Sequence, residues 1–241
     1  MDQAAVAFEI ENLFKIFLPR GAVVIDGSAN LGRFTVPLAH YIGEEGELHA
    51  FEPYLHPFQL LTANVALNGL SNVVTYQSCL GAQHGIVYGR PPDMQKLGNP
   101  SKTHVHSNFD AEVNVLAAVR PNELEDVEMV RLDDLHLSRI DLLRFDLDTV
   151  RSDIFRGAAN TWQFHRPIIY IEGPDHGTPA TLNHSTDDIE RMLEASQARY
   201  KCLRASDIGY RSTFSSIICA GEEVFWDLAA VIENQFGYDR Y

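Results

Sequence analysis

One stretch, Val23 to Pro53, constrains the fold of this chain more than any other. It reads VVIDGSANLGRFTVPLAHYIGEEGELHAFEP. Val23, Val24 and Ile25 form a short apolar run, suited to a strand buried on both faces. Asp26 ends that run, and Gly27, Ser28, Ala29, Asn30, Leu31 and Gly32 follow, all small except Leu31. Phe34, Leu38, Tyr41 and Ile42 then recur at the spacing of a helix face. A second apolar run, Leu48 to Phe51, ends in Glu52. Strand, tight turn, helix and strand make one βαβ unit. Such a unit opens a ligand-sized crevice at the carboxyl ends of two parallel strands.

The residue types suggest what the crevice holds. Small residues let the backbone approach a ligand, and a helix N-terminus offers free N–H groups. Glu52, at the tip of the second strand, can accept hydrogen bonds from both hydroxyls of a ribose. A dinucleotide fingerprint would be G-x-G-x-x-G. Counted from Asp26, those positions hold Ser28, Asn30 and Gly32, so one glycine of three is in place. A pyrophosphate needs the bare turn, whereas a cofactor without phosphate tolerates side chains there. That favours S-adenosylmethionine over NAD. The plain alternative is a βα turn with no ligand.

Composition narrows the class. A chain of 241 residues suits one α/β domain with a sizeable core. A net charge of −14 argues against nucleic acid or an anionic membrane as partner. No apolar run has the length of a transmembrane helix, and no basic segment leads into an apolar one at the N-terminus. Cys79, Cys202 and Cys219 are widely spaced, without a zinc motif, and read as reduced thiols of a cytoplasmic protein.

In chain order, residues 1–19 read as an amphipathic helix with Val6, Ile10, Leu13, Phe14 and Phe17 on one face. It packs on the sheet or on a partner chain. Pro57 to Leu70 reads as a helix with Phe58, Leu61, Val65 and Leu67 inward, closed by Asn68-Gly69. Val73 to Gln77 reads as a strand ending in Ser78-Cys79-Leu80-Gly81. The end of a third strand lies beside the base of a bound nucleoside, so Cys79 and Leu80 are candidates for adenine contact. Cys79 reads equally well as a small core residue.

Residues 82–125 are the least regular part, with His84-Gly85 as a hairpin turn and breaks at Arg90-Pro91-Pro92 and Gly98-Asn99-Pro100. An irregular insertion beside a cofactor crevice is where a substrate pocket is often built. His104 and His106 have metal-ligand spacing, but nothing nearby completes a set, and no metal is expected. Ile140 to Phe145 is an apolar strand interrupted by Arg144. It delivers Asp146-Leu147-Asp148 to the carboxyl edge, with Asp146 near the cofactor's amino-acid end or the transferred methyl. Pro167 to Glu172 is the next buried strand, and His176 follows on a loop where it could take a proton from a substrate hydroxyl. Thr186-Asp187-Asp188 caps a helix. Tyr200 to Leu203 and Ser215 to Ala220 are strands, and residues 224–241 form a surface or oligomer-contact helix. The terminal helices are candidates for a homodimer contact.

Over roughly Ala22 to Gly173 the chain resembles the FkbM family of S-adenosylmethionine-dependent methyltransferases. The family's D-V-G-A-N-x-G is matched by Asp26 to Gly32, and its A-F-E-P by Ala50-Phe51-Glu52-Pro53, followed by Asn64, Val65, Leu67, Asn68 and Gly69. Its L-D-D is Leu132-Asp133-Asp134. Its I-D-L-I-K-I-D-V-E-G-x-E corresponds to Ile140 through Arg151, and its R-P-x-x-x-x-E to Arg166 through Glu172.

The resemblance implies an α/β class I methyltransferase fold, a doubly wound, mostly parallel seven-stranded sheet whose last strand is antiparallel. It implies methyl transfer from S-adenosylmethionine, with S-adenosylhomocysteine as product, usually to a hydroxyl of a sugar or secondary metabolite. By position, Asp26, Gly27, Ser28, Asn30 and Gly32 would line the methionine end. Glu52 and Pro53 would hold the ribose, and Cys79 and Leu80 would flank the adenine. Asp146, Asp148 and His176 are the candidate bases. The chain departs from the pattern at Ser28, where a glycine is usual, at Arg144 in place of lysine, and at Asp148-Thr149-Val150-Arg151 in place of E-G-x-E. A cofactor-binding but catalytically silent domain acting through a partner is the competing reading.

Overall fold

Val24 and Ile25 are adjacent in one strand and both are fully buried. Successive strand residues face opposite sides, so the sheet must be covered on both. The computed structural model describes residues 3–89, 91–92, 124–150, 152–173, 186–195, 197–208 and 216–236. In chain order these form α1 (Gln3–Glu9), a π-turn (Ile10–Phe14), α2 (Lys15–Phe17), β1 (Val23–Asp26), α3 (Thr35–Ile42), β2 (Glu47–Phe51), α4 (Leu55–Leu67) and β3 (Val73–Tyr76). There follow β4 (Ser78–Leu80), β5 (Gly85–Gly89), β6 (Glu125–Val130), β7 (Leu142–Asp146), α5 (Ser152–Arg156), a second π-turn (Thr161–His165) and β8 (Ile168–Glu172). The last elements are α6 (Thr186–Ala195), β9 (Tyr200–Arg204), β10 (Ile217–Gly221) and α7 (Glu222–Phe236).

Seven strands make one sheet in the order β3-β2-β1-β7-β8-β10-β9. The pairs from β3 through β8 are parallel. β10, the last strand in the chain, runs antiparallel to both its neighbours, β8 and β9. This is the mostly parallel sheet with an antiparallel last strand that the sequence implied. The chain runs outward from β1 to β3 and then returns to β7 on the other side of β1. That reversal leaves a crevice at the carboxyl ends of β1 and β7.

Two apolar layers cover the sheet. One joins Val24, Leu142 and Tyr170 of the strands to Leu13 and Phe14, to Leu38 and Ile42 of α3, and to Leu61 of α4. The other joins Ile25, Phe145 and Ile171 to Ile154 and Phe155 of α5, to Trp162, and to Ile189 and Leu193 of α6. The N-terminal segment therefore packs on the sheet. Phe14 sets its ring edge against Tyr170, with centroids 4.8 Å apart. On α7, Val224, Trp226 and Val231 stay exposed. Among the described residues, no helix is long and apolar enough to cross a membrane.

The structure corrects the sequence reading in four places. Leu67 is exposed, because two residues along a helix from the inward Val65 is about 200° around its axis. Ser78-Cys79-Leu80 does not extend β3. It forms β4 of a separate three-stranded sheet, β4-β6-β5, paired in parallel with β6. His84-Gly85 is not a hairpin turn, because β4 and β5 lie on either side of β6 and do not pair with each other. The described ends of the 82–125 segment are thus regular strand, and alternation in Glu125–Val130 was the signal for it: Val127 and Met129 are buried between exposed Asp126 and Glu128.

The fourth correction concerns the thiols. Cys202 on β9 and Cys219 on β10 face each other in the antiparallel register and are joined by a disulfide. Cys79 lies outside the disulfide, and it is buried. The cysteines therefore no longer argue for the cytoplasm, because disulfides persist mainly in oxidising compartments. Protein denatured without reductant should titrate one thiol, and three after reduction. Reduction should lower the melting temperature by several degrees, since the bridge closes a loop of 17 residues worth about 3 kcal/mol. Three thiols without reductant would refute the pairing.

Candidate functional site

The turn after β1 is shaped by close packing. The Gly27 N–H donates to the Arg144 carbonyl (2.8 Å), continuing the β1–β7 pairing one residue past the strand. A Cβ at Gly27 would overlap the Phe145 ring, so glycine is required here. Gly32 has φ +89°, the left-handed region that favours glycine, and Asn30 enters it too at φ +49°. The Ala29 N–H donates to the Phe51 carbonyl (3.0 Å), folding the turn over the end of β2. Asn64 of α4 supports the turn from behind by donating to the Leu31 carbonyl (2.8 Å).

That fold brings the turn onto Glu52. The Glu52 carboxyl is 2% exposed and accepts the N–H groups of Tyr54 (2.9 Å) and Asn30. Burial pushes its pKa up to about 8. The two backbone hydrogen bonds oppose the rise, while Asp146 and Asp26 add to it. Among the described residues no cation pairs with Glu52. Pro53 beside it is half-buried.

A second constellation lies on the same edge. Arg144, 2% exposed, reaches three carboxylates: Asp26 at the end of β1 (3.2 Å), Asp146 two residues along β7, and Glu172 at the end of β8. It also donates to the Ser28 carbonyl (2.7 Å). Burial works against the guanidinium charge, and Asp146, Glu172 and Asp26 together outweigh it and raise its pKa. Arg33, just after the turn, pairs with the other Glu172 oxygen. Burial still pushes Glu172 up to about 7, against the pull of Arg144 and Arg33. Asp26 is fully buried, and its second oxygen accepts the Thr35 hydroxyl (2.7 Å). It therefore fastens the turn to α3 and the sheet.

Ser28 is also engaged within the protein. Its Oγ accepts the Asp146 N–H (3.1 Å) and lies 2.5 Å from the Thr149 Oγ1. Thr149 spends its own proton on the Asp146 carbonyl (2.8 Å). Ser28 must then give its proton to Thr149. Cys79 and Leu80 alternate across β4: Cys79 packs with Tyr54, Val127 and Met129, and Leu80 joins the layer containing Phe51 and Ile25. The structure thus gathers Asp26, Gly27, Ser28, Asn30, Gly32, Glu52 and Asp146 at one edge. The backbone of Asp148 lies in the helical turn after β7. Its side chain, with His104, His106 and His176, falls outside what is described. Arg33, Thr149 and Glu172 are the members that sequence reasoning left without a role. The one hint was Arg144 itself, a charge in an apolar strand that must find partners. A groove of about 420 Å³ lined by Cys202, Phe225 and Trp226 lies at β9, the outermost strand beyond β10.

These residues fit a nucleoside cofactor without a pyrophosphate. Glu52 offers a buried carboxylate whose ionised form needs donors, which the two hydroxyls of a ribose supply. Asp26, Asp146 and Glu172 offset Arg33 and Arg144, so the edge has no surplus of positive charge for a pyrophosphate.

The topology and this edge define a class I S-adenosylmethionine-dependent methyltransferase fold. The family model described as the methyltransferase FkbM domain matches residues 26–202, and the chain belongs to that family. Its structure is similar to that of methyltransferase FkbM from Methylobacillus flagellatus KT. The TM-score is 0.54, with 13% identity over 84% of this chain and 44% of that one. The chain thus spans less than half the length of that protein. It is also similar to a SAM-dependent methyltransferase from Aquifex aeolicus, with a TM-score of 0.51 and 12% identity over 91% and 98% of the two chains. At such identities the likeness speaks for the fold. No curated protein matches the chain.

Two outcomes follow from the electrostatics. Arg144→Met leaves Asp26 buried without its cation and Glu172 with Arg33 alone, which should cost about 3–5 kcal/mol. Calorimetry should show a melting temperature lower by roughly 10 °C, and an unchanged value would mean that the ion pairs do not form. Glu52 is held above its unfolded value, so its contribution to stability is full below pH 4.5 and is lost as pH rises to about 8. Urea unfolding of the ligand-free protein should show Glu52→Gln gaining on the wild type between pH 5 and pH 9, by roughly 2–4 kcal/mol.

Proposed function

We propose that this chain binds S-adenosylmethionine and transfers its methyl group to a hydroxyl of a small molecule or glycan, most simply a sugar or secondary metabolite. The observation that carries the reading is Glu52, a buried carboxyl at the tip of β2 with backbone donors and, among the described residues, no cation. Glu52 would hold the ribose hydroxyls. Gly27 to Gly32 would pass beneath the amino-acid end, and Cys79 and Leu80 would stand near the base. When bound, the cofactor supplies a methyl group already activated on sulfur.

The chain's own task is then orientation and proton removal. An acceptor oxygen must be held about 3 Å from the methyl, in line with the bond that breaks. A base must take the hydroxyl proton as the new bond forms. Asp146, Asp148 and His176 are the candidates. Asp146 has its Oδ1 on Arg144 and keeps its side chain 27% exposed at the crevice.

Binding is tested first. S-adenosylhomocysteine at 100 times its Kd should add about 2.7 kcal/mol of stability, seen as a rise of several degrees in melting temperature. Glu52→Ala should remove most of it. A shift with NADH and none with S-adenosylhomocysteine would overturn the reading. Turnover is tested with labelled S-adenosylmethionine and a panel of sugars and hydroxylated metabolites. Transfer that survives both His176→Ala and Asp146→Asn would remove those two as bases. Tight cofactor binding with no transfer to any pool would favour the catalytically silent reading.

A further inference from the structure

β9 is an edge of the seven-stranded sheet, with β10 on one side and, among the described residues, no strand on the other. Its outer side is met by a side chain. The Cys202 N–H donates to Glu190 Oε1 of α6 (2.6 Å), and Lys201 Nζ lies 3.5 Å from the other Glu190 oxygen. In an antiparallel strand the N–H and C=O of one residue point to the same side, and those of its neighbours to the other. Cys202 therefore directs both groups away from β10, while Lys201 and Leu203 direct theirs toward it. The Cα atoms of Cys202 and Cys219 are 4.1 Å apart, the short spacing of a facing pair that exchanges no backbone hydrogen bonds. Glu190 thus occupies the place where another strand's carbonyl would pair.

The edge is also recessed. Leu203 joins the layer that contains Leu228 and Ile232 of α7, and Cys202 the layer that contains Ile189 of α6. The two helices stand on opposite faces of β9. The groove beside the strand is lined from α6 by Glu190 and from α7 by Phe225, Trp226, Ala230 and Glu233. Trp226, Ala230 and Glu233 fall at i, i+4 and i+7 on one stripe of α7, and Trp226 is 70% exposed. The groove walls are acidic at Glu190 and Glu233, and the strand itself carries Lys201 and Arg204. An extended segment bearing cations matches such a place, and β9 of a second copy is one. About a twofold axis at Cys202, Lys201 falls opposite the copy's Leu203 and Tyr200 opposite its Arg204. No two cations then face each other across the strands.

We propose that two copies of this chain join at β9, so that their sheets run on as one and their α7 helices pack side by side on one face. The contact is isologous. The Cys202 N–H of each copy passes from Glu190 to the Cys202 carbonyl of the other, and Glu190 turns to the cations that the second strand brings. A strand pair of five residues alone falls short of the ~1,200 Å² of a stable interface, so the Trp226 stripes of both copies supply the rest. The two alanines at positions 229 and 230 leave room for the helices to approach.

Sedimentation equilibrium of the unreduced protein between about 1 and about 500 μM should show monomer and dimer in exchange. Hydrogen exchange read by mass spectrometry should show the β9 amides gaining protection as the dimer forms. Trp226→Asp and Ala230→Arg, both at exposed positions, should each weaken the dimer about tenfold or more. Val74→Asp, on the opposite edge strand β3, should leave it unchanged. Thermal melts monitored by circular dichroism check that each variant is folded, and either α7 variant serves if the other is not. Protein that stays monomeric over the whole range would overturn the proposal. So would a monomer whose β9 amides are protected instead by a synthetic peptide of alternating lysine and leucine. A dimer that survives both α7 variants, that Val74→Asp dissolves, or that forms without added protection at β9 has its interface elsewhere and would overturn it too.

Discussion

A guanidinium buried in the middle of an apolar sheet is the constraint on which the carboxyl edge depends. Taking such a charge out of water costs several kcal/mol, and the cost is met only by close counter-charges with good geometry. Arg144 obtains them from three strands: Asp26 of β1, Asp146 of its own β7 and Glu172 of β8. It also lies over the Phe34 ring, 4.2 Å from the centroid, and that ring packs near Phe14 and Tyr170. One side chain thus ties the strand ends, the start of α3 and the N-terminal helical segment into a single arrangement. A loop carrying the same residues without that cation would have no reason to hold them together.

The hydroxyls beside it extend the same logic. Ser28 and Thr149 stand where the family pattern has glycines, and the structure places them in contact. Neither departure makes sense alone. A serine in the turn brings a donor that needs a partner, and a threonine in the loop after β7 supplies the acceptor. The result fastens the turn after β1 to the loop after β7 on either side of the crevice. The turn is therefore rigid before any ligand arrives, which reduces the ordering needed on binding.

Much of this edge was legible in the sequence because it is local. A short β-branched run, a turn of small residues, a helical period and an acid at the end of the next strand all lie within Val23 to Pro53, and each obeys a rule of spacing. The third strand was less legible. Val73 to Gln77 reads as a strand that ends in Ser78-Cys79-Leu80, yet those three residues belong to another sheet, since Ser78–Leu80 pairs with β6 some fifty residues later in the chain. Leu-Asp-Asp was visible as a motif, but its purpose was not. Asp133 accepts the Thr161 N–H (2.9 Å), the Thr161 hydroxyl (3.0 Å) and the Asn160 N–H (3.0 Å), closing the segment that carries Trp162. The Cys202–Cys219 pair was invisible for the same reason, because only the antiparallel register of β9 and β10 puts them face to face.

By itself the sequence determined the βαβ start and the place of Glu52, because hydrophobic period and turn chemistry act between near neighbours, while the seven-strand class came from the family resemblance. Tertiary structure alone decided which charges meet. Arg144, Glu172 and Arg33 lie far apart in the chain, and nothing in their spacing says that they form one line of ion pairs. That line depends on three strand ends being brought side by side, and so it exists only once the sheet is assembled.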